Sequence, residues 1–194
     1  MATRRNTSLV ITTVVAVVFG ALCDVRGWQA PGAVDALAAF TVRVDTYVQL
    51  HRRLEVSFPP LETTTDAISR LLNKRYLASA IRAARRHAKD GTVFGPPVDE
   101  MFRTRIAEAT AGRDLAVVLG PCGGESWAAT DPVVNEPFRE HESCPIPLLL
   151  LEALPPVPGG LEYRVAGPDL ILWDVHADIV IDILREAFRA PSFA

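Results

Sequence analysis

The chain has 194 residues, of which 49% are hydrophobic and 22% are charged, and its formal net charge is −3. This composition is typical of a globular protein and excludes a disordered, collagen-like or polytopic membrane protein. The mildly acidic balance and the lack of a long basic run argue against nucleic-acid binding.

The first thirty residues have the pattern of an export signal. Arg4 and Arg5 supply a positive start, and residues 9–23 form an uncharged apolar run. A membrane-spanning helix normally needs about 20 apolar residues, so we predict a signal peptide over residues 1–30. The mature protein would then be periplasmic or secreted, with no stable membrane span after cleavage. The alternative is a membrane anchor formed by an uncleaved N-terminus.

Export bears on the two cysteines that the mature chain would keep. An oxidising compartment favours a disulfide between Cys122 and Cys144, which would close a loop rich in Gly, Pro and charged residues. Neither cysteine has the close second cysteine that is typical of thiolate zinc sites, so we expect a structural role for the pair. Free or metal-bound thiols are the alternative.

The front part of the mature chain, residues 33–119, predicts three helices and a short apolar piece at its end. Large apolar residues recur at three- and four-residue steps in residues 35–55, which indicates a helix with one buried face. Hydroxyl caps at residues 63–65 begin a second helix that reaches about Lys89, and the third runs from Pro96 to Gly112. The predicted buried face of the second helix consists of Ile68, Leu71, Leu72, Tyr76, Ile81 and Ala84.

The remainder of the chain divides into an irregular segment and a small sheet. Residues 120–160 contain Gly and Pro throughout, and we predict irregular chain bounded by the disulfide, with one or two helical turns at 148–154. Residues 161–184 hold three short runs of branched and aromatic residues separated by turn residues, which predicts a three-stranded antiparallel meander.

A sheet of three short strands is not stable by itself and must pack one face against the helices. We therefore predict a single α+β domain over residues 31–194, in which a three-helix N-terminal part packs on a small C-terminal three-stranded antiparallel meander.

Two sets of residues carry a resemblance that covers nearly the whole mature chain. The chain resembles a family of uncharacterised exported bacterial proteins, which implies an exported location and this order of helices before sheet, and implies no activity. Its cysteine loop departs from the family's pattern. The residues concerned are Phe40, Tyr47, Leu50, Ile81, Ala83, Ala84, Arg85 and Phe94 in the helical part, and 134–138, 154–158, 161–164 and 169–182 in the last block.

The last block also has a fainter similarity to small periplasmic proteins of nickel and cobalt homeostasis. Those proteins share a Pro-rich lead-in, a Tyr-bearing strand and an aliphatic final hairpin. The similarity implies a likeness of fold and no set of ligands.

Asp174, His176 and Asp178 alternate across the predicted turn between the last two strands, with Asp182 beyond them. Carboxylate and imidazole ligands would suit a divalent transition metal, so these three residues are the candidate metal ligands. Turn chemistry is the competing explanation, because Asp tolerates left-handed backbone geometry and bonds its own backbone.

Two further groups of charged residues could either bind a ligand or be ordinary solvated surface. One is a loop cluster that would suit a metal or proton-transfer site, or would simply be solvated. The other would share one face of the second helix, where it would bind an anionic partner or compensate the helix dipole. The loop cluster is His141, Glu140, Glu142, Glu125 and Asp131, and the helix face is Arg82, Arg85, Arg86 and Lys89.

The sequence has neither a Gly-x-Ser-x-Gly nucleophile elbow nor a phosphate-binding glycine loop. We therefore predict an exported cell-envelope protein of non-catalytic binding or structural role, without a cofactor, whose partner is an unidentified envelope protein or ligand. The alternative is a periplasmic divalent-metal-binding protein that uses the turn at residues 174–178. An envelope hydrolase is the third hypothesis.

Overall fold

The computed structural model describes residues 31–57, 66–120, 131–138 and 143–188. The predicted α+β arrangement is confirmed, since the main helices precede an antiparallel sheet that has four strands. None of the helices in these ranges is both long and apolar enough to cross a membrane. The helices are α1 (Pro31–Glu55), α2 (Ala67–Ala84), α3 (Val98–Thr110), α4 (Leu115–Leu119) and α5 (Leu148–Ala153), and the strands are β1 (Cys144–Pro145), β2 (Leu161–Ala166), β3 (Asp169–Asp174) and β4 (Ile179–Leu184).

Helix α1 carries one continuous buried stripe. Phe40, Val44 and Tyr47 are at most 4% exposed, and their three- and four-residue spacing places them on one side of the helix. The Phe40 ring lies 5.0 Å from that of Phe102 in α3. The predicted first helix is therefore confirmed, and its stripe leads directly towards the C-terminal end of α1.

Helix α2 is shorter than predicted and buries a different face. It begins after Asp66, whose carboxylate accepts the Ser69 N–H at 2.8 Å, and it ends at Ala84 rather than near Lys89. The predicted caps at residues 63–65 lie outside the described residues. Leu77, Ala78 and Ile81 are buried, whereas Ile68, Leu71, Leu72 and Tyr76 are between 42% and 69% exposed.

The prediction of the buried face of α2 was wrong for a geometric reason. At about 3.6 residues per turn, Leu72 and Ile81 lie on opposite sides of this helix. Apolar residues on both sides leave the periodicity ambiguous, and packing against α1 selects the side that contains Ile81.

The sheet has the order β1-β2-β3-β4, and each neighbouring pair is antiparallel. Strands β2, β3 and β4 occupy the predicted places. The additional strand β1 has only two residues, with Cys144 opposite Val165 and Pro145 opposite Arg164. A two-residue strand that contains proline has no alternating pattern, so sequence periodicity could not reveal it.

Both faces of the sheet are covered, which explains its nearly complete burial. Tyr163, Leu172 and Ile181 belong to the core that α1, α3 and α5 complete. On the other face, residues 131–138 run along β4, where the Asn135 N–H donates to the Val180 carbonyl at 2.8 Å. This segment packs Val134 and Phe138 onto Ile171, Trp173 and Val180.

Asp182 in β4 and Arg43 in α1 hold the loop between α2 and α3. The fully buried Asp182 carboxylate accepts three backbone N–H groups of residues 91–94 at 2.6 to 2.9 Å. Arg43 donates to three backbone carbonyls of residues 93–96 at 2.6 to 2.9 Å. The polar groups of this loop are thereby paired inside the protein, which joins the sheet to the helices.

Candidate functional site

A cavity of about 180 Å³ lies between the C-terminal end of α1 and the turn from β3 to β4. Tyr47, His51 and Glu55 are spaced four residues apart and therefore lie on one face of α1. The face that is apolar earlier in the helix is thus polar beside the cavity. The lining residues are Tyr47, Val48, His51, Arg52 and Glu55 from α1, and Gly159, Gly160, Leu161 and His176 from the opposite side.

Asp174 is the buried anion beside this cavity. One carboxylate oxygen accepts hydrogen bonds from the Tyr47 hydroxyl and from His51 Nδ1, the latter at 2.6 Å. The other oxygen accepts the backbone N–H groups of His176 and Ala177, each at 2.9 Å. Burial alone would raise the pKa of Asp174, but the hydrogen bond and charge of His51, together with the hydrogen bonds from Tyr47 and the Ala177 N–H, outweigh it and lower that pKa. The side chain is therefore a carboxylate with both oxygens occupied.

Tyr47 is held as a neutral donor to Asp174. Burial, together with the negative charge of Asp174, raises the pKa of Tyr47 far above its usual value of 10. The Arg85 guanidinium lies 5.0 Å from the centre of the Tyr47 ring, as a cation–π contact requires. Tyr47 therefore fixes Asp174 from one side while His51 contacts it from another.

The contact with Asp174 fixes the orientation of the His51 imidazole. Burial would lower the pKa of His51, but the hydrogen bonds and charges of Asp174 and Glu55 together raise it above the usual 6.5. With Nδ1 directed at Asp174, Nε2 points towards Glu55 and lies 3.5 Å from its Oε2 atom. In the neutral ring with a proton on Nδ1, Nε2 carries a lone pair and can bind a metal.

His51, Glu55 and His176 place three potential ligand atoms within 4.8 Å of one another. Glu55 Oε1 lies 3.8 Å from His176 Nδ1, and the two imidazole centres are 5.9 Å apart. Within the described ranges, no other group of His, Cys, Asp and Glu side chains meets this criterion. Two imidazoles and one carboxylate form a donor set that suits zinc and related divalent transition metals.

Backbone contacts position the turn that carries His176. Gly160 has φ of 90°, and a Cβ atom there would lie 3.6 to 3.8 Å from three atoms of the His176 ring. The Val175 N–H donates to the Gly160 carbonyl at 3.0 Å, and Lys74 Nζ donates to the Val175 carbonyl at 3.1 Å. A Cβ would thus make ordinary van der Waals contact with the imidazole, and it is the positive φ that favours glycine at this position.

The structure places the three predicted ligands in different surroundings. His176 lines the cavity, whereas Asp174 lies behind His51 and does not belong to the group of three ligand atoms. Asp178 is also outside that group and has φ of 57°, the left-handed geometry that turn chemistry predicts. Only His176 of the predicted set therefore joins the ligand group, and Asp174 contacts it through His51.

Sequence reasoning missed His51 and Glu55. A sequence pattern could have indicated them, because His51 and Glu55 continue the buried face of α1 beyond Tyr47. The His-x-x-x-Glu spacing puts both side chains on one helix face. Their connection to Asp174 and His176 is a tertiary contact, since His51 and Asp174 are 123 positions apart in the chain.

The four residues of the predicted basic face do not share a helix, because α2 ends at Ala84. Arg85 donates to Asn135 Oδ1 and to the Ile181 carbonyl, both at 2.8 Å, and Arg82 donates to the Asn135 carbonyl at 3.0 Å. These two arginines fasten the segment that covers the sheet. Arg86 and Lys89 are exposed beyond the end of the helix, and anion binding by the group stays a prediction.

The other predicted groups fall largely outside the described residues. Cys144 is buried in β1, but Cys122 lies outside these ranges, so their pairing stays a prediction. Of the loop cluster, the structure describes only Asp131, which accepts a hydrogen bond from Arg185 at 2.6 Å. Glu125, Glu140, His141 and Glu142 are outside the described ranges.

No protein-family model matches the sequence, and comparisons with curated proteins and with solved structures gave no match. The resemblance to exported bacterial proteins and the fainter similarity to nickel and cobalt homeostasis proteins therefore stay predictions.

Proposed function

We propose that this protein is an exported binding protein for a divalent transition metal, with His51, Glu55 and His176 as ligands. The hydrogen bond from His51 Nδ1 to the buried Asp174 is the observation that carries the proposal. Histidines that bind metals almost always donate their other ring N–H to a carboxylate, a carbonyl or water, which fixes the ring and raises its basicity. Asp174 supports His51 in this way while Nε2 faces two further donors.

The distances between the donors support the same proposal. Two ligands about 2.0 to 2.1 Å from a tetrahedral metal are about 3.3 Å from each other. Glu55 Oε2 lies 3.5 Å from His51 Nε2, and Glu55 Oε1 lies 3.8 Å from His176 Nδ1. One ligand atom from each of the three residues lies within 4.8 Å of the other two, so the side chains would move closer together on binding one ion. Three protein ligands leave a fourth position, which would open into the cavity.

Export is the second part of the proposal and rests on the sequence pattern of residues 1–30. The proposed disulfide between Cys122 and Cys144 belongs with it, since an oxidising compartment favours that pairing. A non-catalytic role in the cell envelope remains our expectation, with the metal as the bound partner.

Calorimetric titration of the chelator-treated protein with Zn²⁺, Ni²⁺, Co²⁺ and Cu²⁺ tests the metal proposal. We expect one site per chain for at least one of these ions. The variants His51→Ala and His176→Ala should each weaken binding at least tenfold, because each removes one of three ligands. His87→Ala is the matched control, since His87 is exposed and lies outside the cavity.

Two results would contradict the proposal. One is the absence of heat above the buffer for all four ions. The other is binding that His51→Ala and His176→Ala leave as strong as His87→Ala does, with circular dichroism showing that all three variants are folded.

A further inference from the structure

We infer that the metal centre takes a second ligand, a small carboxylate that fills the open coordination position and pairs with Arg52. This inference rests on the proposed function, because the metal supplies one of the two contacts. The inference goes beyond metal binding, because it names a small carboxylate as a bound molecule and Arg52 as the residue that recognises this carboxylate.

Arg52 is the cation of the cavity wall. It lies in the last turn of α1, its side chain is exposed, and it lines the cavity beside His51. The carboxylate of Glu55 faces the two imidazoles, at 3.5 and 3.8 Å. No carboxylate of the described residues forms an ion pair with Arg52, so its guanidinium is available to an incoming anion.

The charge of the loaded cavity favours an anion. A divalent cation and Arg52 carry three positive charges, which exceed the two negative charges of Glu55 and Asp174, and neutral imidazoles add nothing to the balance. A guanidinium donates charge-assisted hydrogen bonds to a carboxylate oxygen. A ligand of one negative charge could therefore place one oxygen on the metal and the other against Arg52.

The other walls indicate what the carboxylate is attached to. Val48 and Leu161 give the cavity an apolar surface beside the polar one. A volume of about 180 Å³ is below the roughly 300 to 1,000 Å³ of pockets for drug-sized ligands. The fitting molecule has a few heavy atoms, with a carboxylate at one end and a short hydrocarbon part. Phosphate has the charge but lacks the apolar part.

Cobalt-loaded protein provides the test, because the visible absorption of protein-bound Co²⁺ reports a change of ligand. Titration with propionate and butyrate should shift the cobalt bands and saturate at one anion per metal. Inorganic phosphate should bind more weakly. Arg52→Met should weaken carboxylate binding at least tenfold and leave cobalt affinity nearly unchanged.

Arg53→Met is the matched control, since Arg53 is an exposed neighbour in the same turn of α1 and does not line the cavity. The inference is overturned if cobalt binds but carboxylates leave its spectrum unchanged, if phosphate binds more tightly, or if Arg52→Met and Arg53→Met behave alike. Failure of the protein to bind Zn²⁺, Ni²⁺, Co²⁺ and Cu²⁺ alike would instead contradict the proposed function, and the metal titration shows this before any anion is added. If Co²⁺ alone does not bind, calorimetry on protein loaded with the ion that does bind follows the same anion titrations and decides by the same outcomes.

Discussion

Asp174 and Asp182 lie in adjacent strands of one sheet, and both are fully buried, yet their surroundings differ. Asp182 accepts backbone N–H groups from the loop that precedes α3. Asp174 accepts two backbone N–H groups and also the side chains of Tyr47 and His51. Burial alone therefore does not distinguish a functional carboxylate from a structural one. A hydrogen bond to a titratable side chain that lines a cavity distinguishes the two better.

The electrostatics of the two carboxylates differ in the same way. Burial raises the pKa of Asp182, and backbone donors offset this only in part. For Asp174 burial also raises the pKa, but His51, Tyr47 and the Ala177 N–H together outweigh this effect and lower that pKa. The Asp182 carboxylate thus holds the loop through backbone N–H groups. Asp174 instead pairs with the side chain of His51, which lines the cavity.

The largest effect on stability should come from removing the contacts of Asp182 with the loop between α2 and α3. Asp182→Ala leaves several buried N–H groups without an acceptor, at about 1 to 3 kcal/mol for each, so we expect a loss of about 4 kcal/mol in the free energy of unfolding. Metal affinity of the folded fraction should not change. Urea unfolding measures the loss, and Asp66→Ala, which removes an exposed helix cap, should lose only about 1 kcal/mol. Equal losses in the two variants would contradict the role of Asp182.

The next prediction concerns the carboxylate behind His51. Asp174→Asn keeps the size of the side chain but removes the charge that orients the imidazole, so metal affinity should fall about 10- to 100-fold. Asp182→Asn is the matched control, because it makes the same change one strand away and should lower stability without lowering affinity. Titration calorimetry on both folded variants decides, and equal affinities would show that Asp174 does not act through His51.

A smaller effect is expected at the turn that faces His176. Gly160→Ala places a side chain at φ of 90°, which should reduce the free energy of unfolding by about 1 to 2 kcal/mol, and its Cβ would touch the imidazole. We expect metal affinity to fall by a few-fold as well. Gly112→Ala has similar backbone strain, with φ of 69° and no atom near the new Cβ, so it should lose stability alone. A loss of affinity in both variants would attribute the effect to strain and not to His176.

The sheet and α1 were predictable because their signals are local. Short runs of branched and aromatic residues separated by turn residues mark β2, β3 and β4, and one unbroken stripe marks α1. The buried face of α2, the strand β1 and the group around His51 were not predictable, because each depends on a partner distant in sequence. Asp174 was predicted as a metal ligand, whereas the structure places it behind His51 and outside the group of three ligand atoms. His51 lies 123 positions away, and nothing local indicates that the two meet.

The smallest effect should be the pH dependence of the metal-free protein, which tests the pair of Asp174 and His51 without any ligand. The pKa of His51 is raised above its usual 6.5, so the stabilisation from the pair is complete below about pH 6.5 and is lost as the pH rises through the folded-state pKa. The pKa of Asp174 is lowered below its usual 3.8, so its contribution is present above that pH and is lost as the pH falls through the lowered value.

The stabilisation from this pair is therefore greatest in mildly acidic solution. The loss of unfolding free energy on His51→Gln should be larger at pH 5 than at pH 8.5, and His87→Gln should show no such difference. Metal affinity should follow the opposite trend and rise with pH, since the bound imidazole must be deprotonated. If His51→Gln and His87→Gln have the same pH profile, the imidazole is not paired with Asp174, and the support for the metal ligand is lost with it.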